Sequence, residues 1–535
     1  MLIQVFFILK IFFKTSRSVT LVLGLTACLA LTLLEKEVKA AERLDIQFEE
    51  MIIPISIEEL EGWAEKKGEM SSELSTWIDF LGFENKYSFS SFLQIPIFKE
   101  SGISLELIRS WAGKELLEQI SESVFINEDN SGVILFNTIE GLLEEKETIT
   151  IIDILKKMPS ENILLDLDGV IKIITSWKEE LKKQQDLLFS LSNLESSKIT
   201  FSENNKNLSF SMKLFKLPAI HRNDSLTIEL WKPIAAMDET KNLIIFMPGL
   251  GGDRLHFRWL AKNLSERGWP VALIQHQGSD SESIKALVKG GESLPGGAEV
   301  FLYRLKDLEI VIKAFKEGEL HLNNENFVIM GHSLGSLISY FYSGALPQEG
   351  LASRCDNALK DLSLTNLSIL MQCHVDQIYI PKNKDTSNLT AIIGINSFGS
   401  ILWPNKISRS ESLPVLLTGG TFDLITPVIS EQLQLFLSTK PNTFSRVLII
   451  EGASHFSPVR VLNDQNIDSG EDIFKINNKL IGADPNDVQA LLSKIIIEFL
   501  ISIEKKEPLD LAIKQKENDL KFYLLNRDKV NLISK

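Results

Sequence analysis

An α/β architecture is predicted for most of this chain: a mostly parallel sheet with helices on both faces, preceded by a mostly helical N-terminal unit. Two observations carry that prediction. From Leu243 onward, short continuous apolar runs alternate with helix-period segments, the pattern of strands buried on both faces by crossover helices. Upstream of residue 185, helix-period segments follow one another with few strand-like runs between them.

The elements can be taken in order. An extended stretch runs from Leu44 to Ile57. Helices are expected over Ile57–Lys67, Ser72–Phe83, Leu105–Val124, Val133–Leu143, Ile151–Lys157 and Gly169–Lys183, with Ser104 and Thr150 as candidate caps. Residues 186–240 are polar and lead into two alternating stretches, Ser209–Lys216 and Ser225–Trp231, which read as antiparallel strands. The parallel strands follow at Leu243–Met247, Pro270–Gln275, Phe327–Met330, Leu389–Ile395, Leu413–Leu417 and Arg446–Ile450. Between and after them helices are expected over Asp253–Arg267, Val300–Phe315, Leu337–Gly344, Val428–Leu437 and Val488–Ile503, with Asp253 as an N-cap. The resulting division is 1–40, a targeting segment; 41–185, the helical unit; 186–240, linker and first strands; 241–503, the α/β domain with an insertion at 345–388; and 504–535, a charged C-terminal tail.

Composition narrows the function classes. The 535 residues hold 56 basic and 71 acidic side chains, a net charge of −15, which argues against a nucleic-acid partner. Hydrophobic residues at 44% allow large cores. The three cysteines, Cys28, Cys355 and Cys373, show no metal-ligand spacing, so no metal and no cofactor is expected.

The N-terminus carries Lys10, Lys14 and Arg17 without an acid, then the apolar run Val19–Leu34, then Val38-Lys39-Ala40-Ala41. That is the layout of a secretory signal peptide cleaved after Ala40. Retention as a membrane anchor, or lipidation at Cys28 in Leu25-Thr26-Ala27-Cys28, are the alternatives. Each puts the mature domain outside the cytoplasm, in the periplasm or beyond, with membrane association through the N-terminus. In an oxidising compartment Cys355 and Cys373 are expected to pair; two buried free thiols are the alternative.

The chemistry centres on Gly331-His332-Ser333-Leu334-Gly335. A GxSxG pattern between a buried strand and a helix presents a serine on a tight turn at the sheet edge. A serine hydroxyl becomes a nucleophile when a histidine takes its proton, and in this arrangement acid and histidine follow the serine in that order. Only His374 and His455 come after Ser333. His374 lies in the insertion, whereas His455 follows the strand ending at Ile450. Asp423 follows the strand ending at Leu417 and is the acid; Asp376 and Asp385 lack a strand end to present them. Acyl transfer also needs N–H donors for the developing oxyanion. Leu334, next to the nucleophile, supplies one. Leu250, in the loop Pro248-Gly249-Leu250-Gly251-Gly252, supplies the other.

With these motifs in order, the chain resembles the α/β-hydrolase fold, in particular secreted α/β-hydrolases of cyanobacterial type with an N-terminal domain of unknown function. Its hydrolase part is similar to platelet-activating-factor acetylhydrolases and dienelactone-hydrolase-like proteins. The matching stretches are Ala41–Leu60, Met247–Asp253, Gln275–Asp280, Gly331–Gly335, Cys355 through Leu364–Cys373, Ile395–Ser400, Gly419–Pro427 and Gly452–Phe456. The resemblance implies Ser333, Asp423 and His455 as triad and Leu250 and Leu334 as oxyanion donors. Two departures stand out: Pro248-Gly249 replaces a His-Gly, and Gln275-His276-Gln277-Gly278-Ser279 replaces Glu-His-Pro-Gly-Ser. His276 is expected to pack or hydrogen-bond near the site.

The expected activity is hydrolysis of a small-molecule or lipid ester, short-acyl or phospholipid-like, through an acyl-serine. The competing readings are a non-catalytic envelope scaffold on the same fold and an acyltransferase using the same triad. The insertion Ala345–Ser387 is a candidate lid, with structural packing as its alternative.

Overall fold

The computed structural model describes residues 41–48, 50–66, 132–146, 148–202, 208–222, 224–234, 241–283, 298–360, 366–382, 385–407, 412–459 and 483–534, with short pieces between 74 and 126. The targeting segment 1–40 and most of the helices expected over 72–83 and 105–124 lie outside the described residues. Among the described residues no helix is long and apolar enough to cross a membrane.

The N-terminal unit opens with a hairpin, β1 (Arg43–Phe48) against β2 (Met51–Ser56). Ser56 then caps α1 (Ile57–Glu65), its hydroxyl accepting the Glu59 N–H. Strand β3 (Phe98–Lys99) precedes β4 (Val124–Ile126) and α2 (Gly132–Glu145). Strand β5 (Thr148–Ile149) pairs with β3 and leads into α3 (Ile151–Lys157). Thr150 caps α3 as expected, in a capping box with Asp153. Strand β6 (Asn162–Asp166) runs parallel to β1 and antiparallel to β4, giving the order β2-β1-β6-β4. Beside its helices the unit therefore carries a four-stranded sheet, which opens on the extended stretch expected from Leu44 to Ile57 and adds β4 and β6 to it. Strands of three and five residues such as β4 and β6 are too short to show a period of two against their helical neighbours. The sheet shares one core with α1 and α2, built around Trp63, Leu60, Ile139, Leu142 and Ile163.

Helix α4 (Leu167–Ser192) follows directly, capped by Asp166. It runs unbroken through the boundary expected at 185–186. Its last turns place Leu187 and Leu191 in a core cluster of the α/β domain, so one helix joins the two units.

The α/β domain begins with the antiparallel strands β7 (Phe210–Ala219) and β8 (Asp224–Pro233). The parallel strands are β9 (Leu243–Met247), β10 (Val271–Ile274), β11 (Phe327–His332), β12 (Leu389–Ile395), β13 (Val415–Gly420) and β14 (Arg446–Ile450). Crossover helices include α5 (Arg258–Ser265), α6 (Glu299–Lys316) and α7 (Leu334–Tyr342). The insertion adds α8 (Leu351–Lys360) and α9 (Ser368–His374). A π-helical turn, Val428–Leu433, leads into α10 (Gln434–Ser438), and α11 (Pro485–Lys505) closes the parallel part. Alternate residues of one strand serve opposite faces: Ile245 packs into one cluster, Ile244 and Phe246 into the other. Both faces are apolar and covered, which is why these strands read as continuous hydrophobic runs.

Residues 504–535 correct the expectation of a charged tail. Strands β15 (Ala512–Glu517) and β16 (Leu520–Leu525) form a hairpin whose β16 pairs antiparallel with β14, and α12 (Arg527–Ile533) follows. The ten-stranded order is β15-β16-β14-β13-β12-β11-β9-β10-β8-β7. This is an α/β-hydrolase fold.

Candidate active site

The turn that carries Ser333 is shaped by what glycine lacks. A Cβ on Gly335 would lie 2.1 Å from the Met247 carbonyl oxygen, and one on Gly331 would lie 2.2 Å from the Gly335 carbonyl carbon. Strands β9 and β11 can approach helix α7 this closely only with no side chain at either position. Ser333, between them, sits at φ 52° and ψ −120°, a strained backbone that a serine adopts only when its surroundings hold it. Its N–H donates to the Ile395 oxygen at 2.8 Å, and its carbonyl accepts from Ser336 at 2.9 Å and Leu337 at 3.2 Å. Helix α7 starts at Leu334, immediately after the serine and three residues earlier than expected.

His455 follows β14 and is buried. Its Nδ1 lies 2.9 Å from Asp423 Oδ2 and 3.1 Å from Thr426 Oγ1. Asp423 follows β13 and is wholly buried. Its Oδ2 also accepts from Asn396 Nδ2 at 2.6 Å and Thr426 Oγ1 at 2.7 Å, and its Oδ1 accepts the N–H groups of Ile425 at 2.9 Å and Thr426 at 2.8 Å. Burial pushes its pKa up, but the His455 charge and the hydrogen bonds from His455 and Thr426 outweigh it and hold the carboxyl below its ordinary value. Asp423 is thus an anion at neutral pH.

Asn396 and Thr426 were not picked out from the sequence, although both lie in stretches that carry the resemblance. Asn396 takes φ 49° at the end of β12, a conformation asparagine tolerates, and so turns its amide onto the acid. His332 was also passed over. Its Nε2 lies 3.0 Å from the His455 carbonyl oxygen, so that nitrogen carries the hydrogen. Burial, and next the neighbouring His455, push its pKa down to about 3; it is a neutral donor that holds the base loop. Its ring lies 4.9 Å from that of His455.

The loop Pro248–Gly252 lies against this turn. A Cβ on Gly249 would approach His332 Nδ1 to 2.9 Å and Ser333 Cβ to 3.1 Å. Within the loop, Gly251 N–H donates to the Ser279 oxygen at 2.9 Å and Gly252 N–H to the Gly249 oxygen at 3.2 Å. Neither Leu250 N–H nor Leu334 N–H has a hydrogen-bond partner among the described residues. The loop that follows Pro248 thus leaves a free donor at Leu250.

His276 is buried behind this loop, its Nδ1 2.7 Å from Asp307 Oδ2. Burial, then the neighbouring Arg304, push its pKa down to about 4. Asp307 also binds His221 at 2.8 Å and Arg222 at 2.7 Å. His374, the other histidine after Ser333, ends α9 in the insertion.

Cys355 and Cys373 form a disulfide with Cα atoms 5.5 Å apart, linking α8 to α9. Such a bond is at home in the oxidising compartments that exported proteins reach. A denatured, unreduced sample of the full chain is expected to titrate at most one thiol, that of Cys28. The insertion is also tied to the acid loop, Ser368 N–H donating to the Ile425 oxygen at 3.0 Å. Among the described residues no group of three or more His, Cys, Asp or Glu is placed to hold a metal.

Comparison with known proteins agrees with this fold. Residues 242–358 match a family model described as the alpha/beta hydrolase fold, covering the loop Pro248–Gly252 and Ser333. Residues 40–166 match one described as an alpha/beta hydrolase of unknown function, DUF1400. No curated protein matches the chain.

Proposed function

We propose that this hydrolase-fold protein is a serine esterase that cleaves carboxylic esters through an acyl-serine intermediate. The observation that carries the reading is the Asp423–His455 pair at 2.9 Å, on loops of the sheet edge that also holds Ser333 on its strained turn. His455 Nδ1–H is committed to Asp423, so Nε2 is left with the lone pair that a general base needs. Ser333 Oγ attacks the ester carbonyl as its proton passes to His455. The tetrahedral oxyanion is met by the N–H groups of Leu250 and Leu334. Collapse expels the alcohol, which takes the proton from His455. Water, activated by the same histidine, then releases the acid. The resemblance to platelet-activating-factor acetylhydrolases favours short-acyl or phospholipid-like esters, and the disulfide favours an exported protein.

A fluorophosphonate probe is expected to label the wild-type chain and to leave Ser333→Ala unlabelled. On p-nitrophenyl acetate, Ser333→Ala should lose about 10⁶-fold in kcat, the scale set by removing a triad serine. A folded wild type with neither labelling nor Ser333-dependent turnover would refute the proposal and leave a binding scaffold.

A further inference from the structure

We infer that Arg304 is a positioning residue of the oxyanion loop: it grips the carbonyl oxygens of Pro248 and Gly249 and thereby aims the Leu250 N–H at the reacting carbonyl. The inference rests on the esterase reading above.

Arg304 projects from α6 and is wholly buried. Its Nη1 donates to the Pro248 oxygen at 2.6 Å and its Nη2 to the Gly249 oxygen at 2.9 Å. The remaining contacts go to Ser279, Nε to Oγ at 2.9 Å and Nη2 to the carbonyl oxygen at 3.1 Å. Ser279 in turn holds the Gly251 N–H through that same carbonyl. One planar cation thus ties the loop at 248–251 to the loop that follows β10.

The consequence follows from peptide geometry. Among the described residues no peptide bond is cis, and in a planar trans unit the C=O and N–H point in opposite directions. Gly249 C=O and Leu250 N–H are the two ends of one unit. Drawing the oxygen toward Arg304 therefore turns the N–H the opposite way, in a loop whose Gly249 lies against Ser333. The other donor is built alike: Ser333 C=O is held by Ser336 and Leu337, which directs Leu334 N–H. Because α7 supplies those bonds, Leu334 needs no side chain to aim it. In the other loop the Gly249 carbonyl has a single backbone donor, the Gly252 N–H at 3.2 Å, and the glycines there leave the chain free to turn, so the second hold comes from Arg304.

A residue needed only for packing inside α6 could be leucine or methionine. Burying a cation is costly unless it is fully hydrogen-bonded. Its guanidinium fork holds the oxygens of Pro248 and Gly249 and both oxygens of Ser279 at once, four contacts from five N–H donors where a lysine ammonium has three.

The test uses the full chain with p-nitrophenyl acetate and a trifluoromethyl ketone, whose serine adduct carries an oxyanion. In R304Q, kcat is expected to fall about 10²–10³-fold, the scale of one oxyanion donor, with KM little changed. Affinity for the ketone should fall by the same factor as kcat/KM. In R304K an intermediate kcat is expected; this is the variant to read if R304Q does not fold. A folded R304Q or R304K with wild-type kcat overturns the inference. So does a loss that appears only in melting temperature or KM while ketone affinity is kept. If Ser333→Ala turns over like the wild type, the esterase reading fails and this inference falls with it.

Discussion

Asp423→Asn is expected to lower kcat by about 10⁴-fold while the protein stays folded, as removal of the charge from a triad acid does. Every neighbour of this carboxylate is a donor. Oδ2 faces His455, Asn396 and Thr426 Oγ1, and Oδ1 faces two backbone N–H groups. An amide brings one NH₂ into this set, and either orientation turns it toward donors. The backbone N–H groups cannot give way, whereas the imidazole can move its hydrogen. The amide oxygen therefore stays with Ile425 and Thr426, and His455 is driven to carry its hydrogen on Nε2. That tautomer cannot take the Ser333 proton. Steady-state kcat together with circular dichroism checks the outcome; a folded Asp423→Asn within tenfold of wild type would remove Asp423 from the triad.

The sign of the pH dependence follows from the same group. The folded carboxyl titrates below its ordinary value. Its contribution to stability is thus fully present above the ordinary carboxylate range and is lost as pH falls through the folded value. Melting curves of Asp423→Asn should lack that part of the acid loss seen in wild type.

Glu431→Ala is expected to produce the largest loss of stability, about 4 kcal/mol, the scale of uncovering a buried polar cluster. Glu431 is buried in the π-helical turn and is a hub. Its Oε1 accepts from Asn366 at 2.8 Å, Ser368 at 3.1 Å, Gln372 at 3.0 Å and Ser400 Oγ at 2.8 Å. Its Oε2 accepts the N–H groups of Gly399 at 2.9 Å and Ser400 at 3.0 Å. Alanine leaves these donors in a dry cavity with nothing to bind. The contacts join the insertion, the loop after β12 and the turn after the acid, so catalysis should fall with the fold. Thermal melting measures the first effect. A Glu431→Ala protein that melts with the wild type would show that the insertion is not held through this carboxylate.

The residues of the candidate triad were legible because each obeys a local rule. Ser333 sits in a five-residue motif, and Asp423 and His455 follow apolar runs that only strands explain. What supports them was not legible. Arg304 is one arginine on an amphipathic helix, and its partners lie 25, 55 and 56 positions earlier. Glu431 reads as a solvated residue because nothing nearby in sequence reveals the six donors around it. The hairpin β15–β16 carries Lys514, Gln515, Lys516, Glu517 and Lys521, polar residues suited to the edge of a sheet, and so resembles a charged tail until β14 is beside it.

That hairpin has a topological consequence. Ser197 pairs with Ile513 across the backbone, and the Ile199 N–H binds the side chain of Gln515. The stretch that enters the α/β domain and the stretch that closes its sheet therefore meet at one spot, more than 300 residues apart along the chain. During synthesis β14 keeps an open edge until the last strands emerge, so the domain closes its sheet late and by long-range pairing, which is slow. Adjacent ends also make the domain a near-closed ring. A short linker joining them, with new termini opened in a surface loop far from Ser333, should yield a circular permutant with the same sheet.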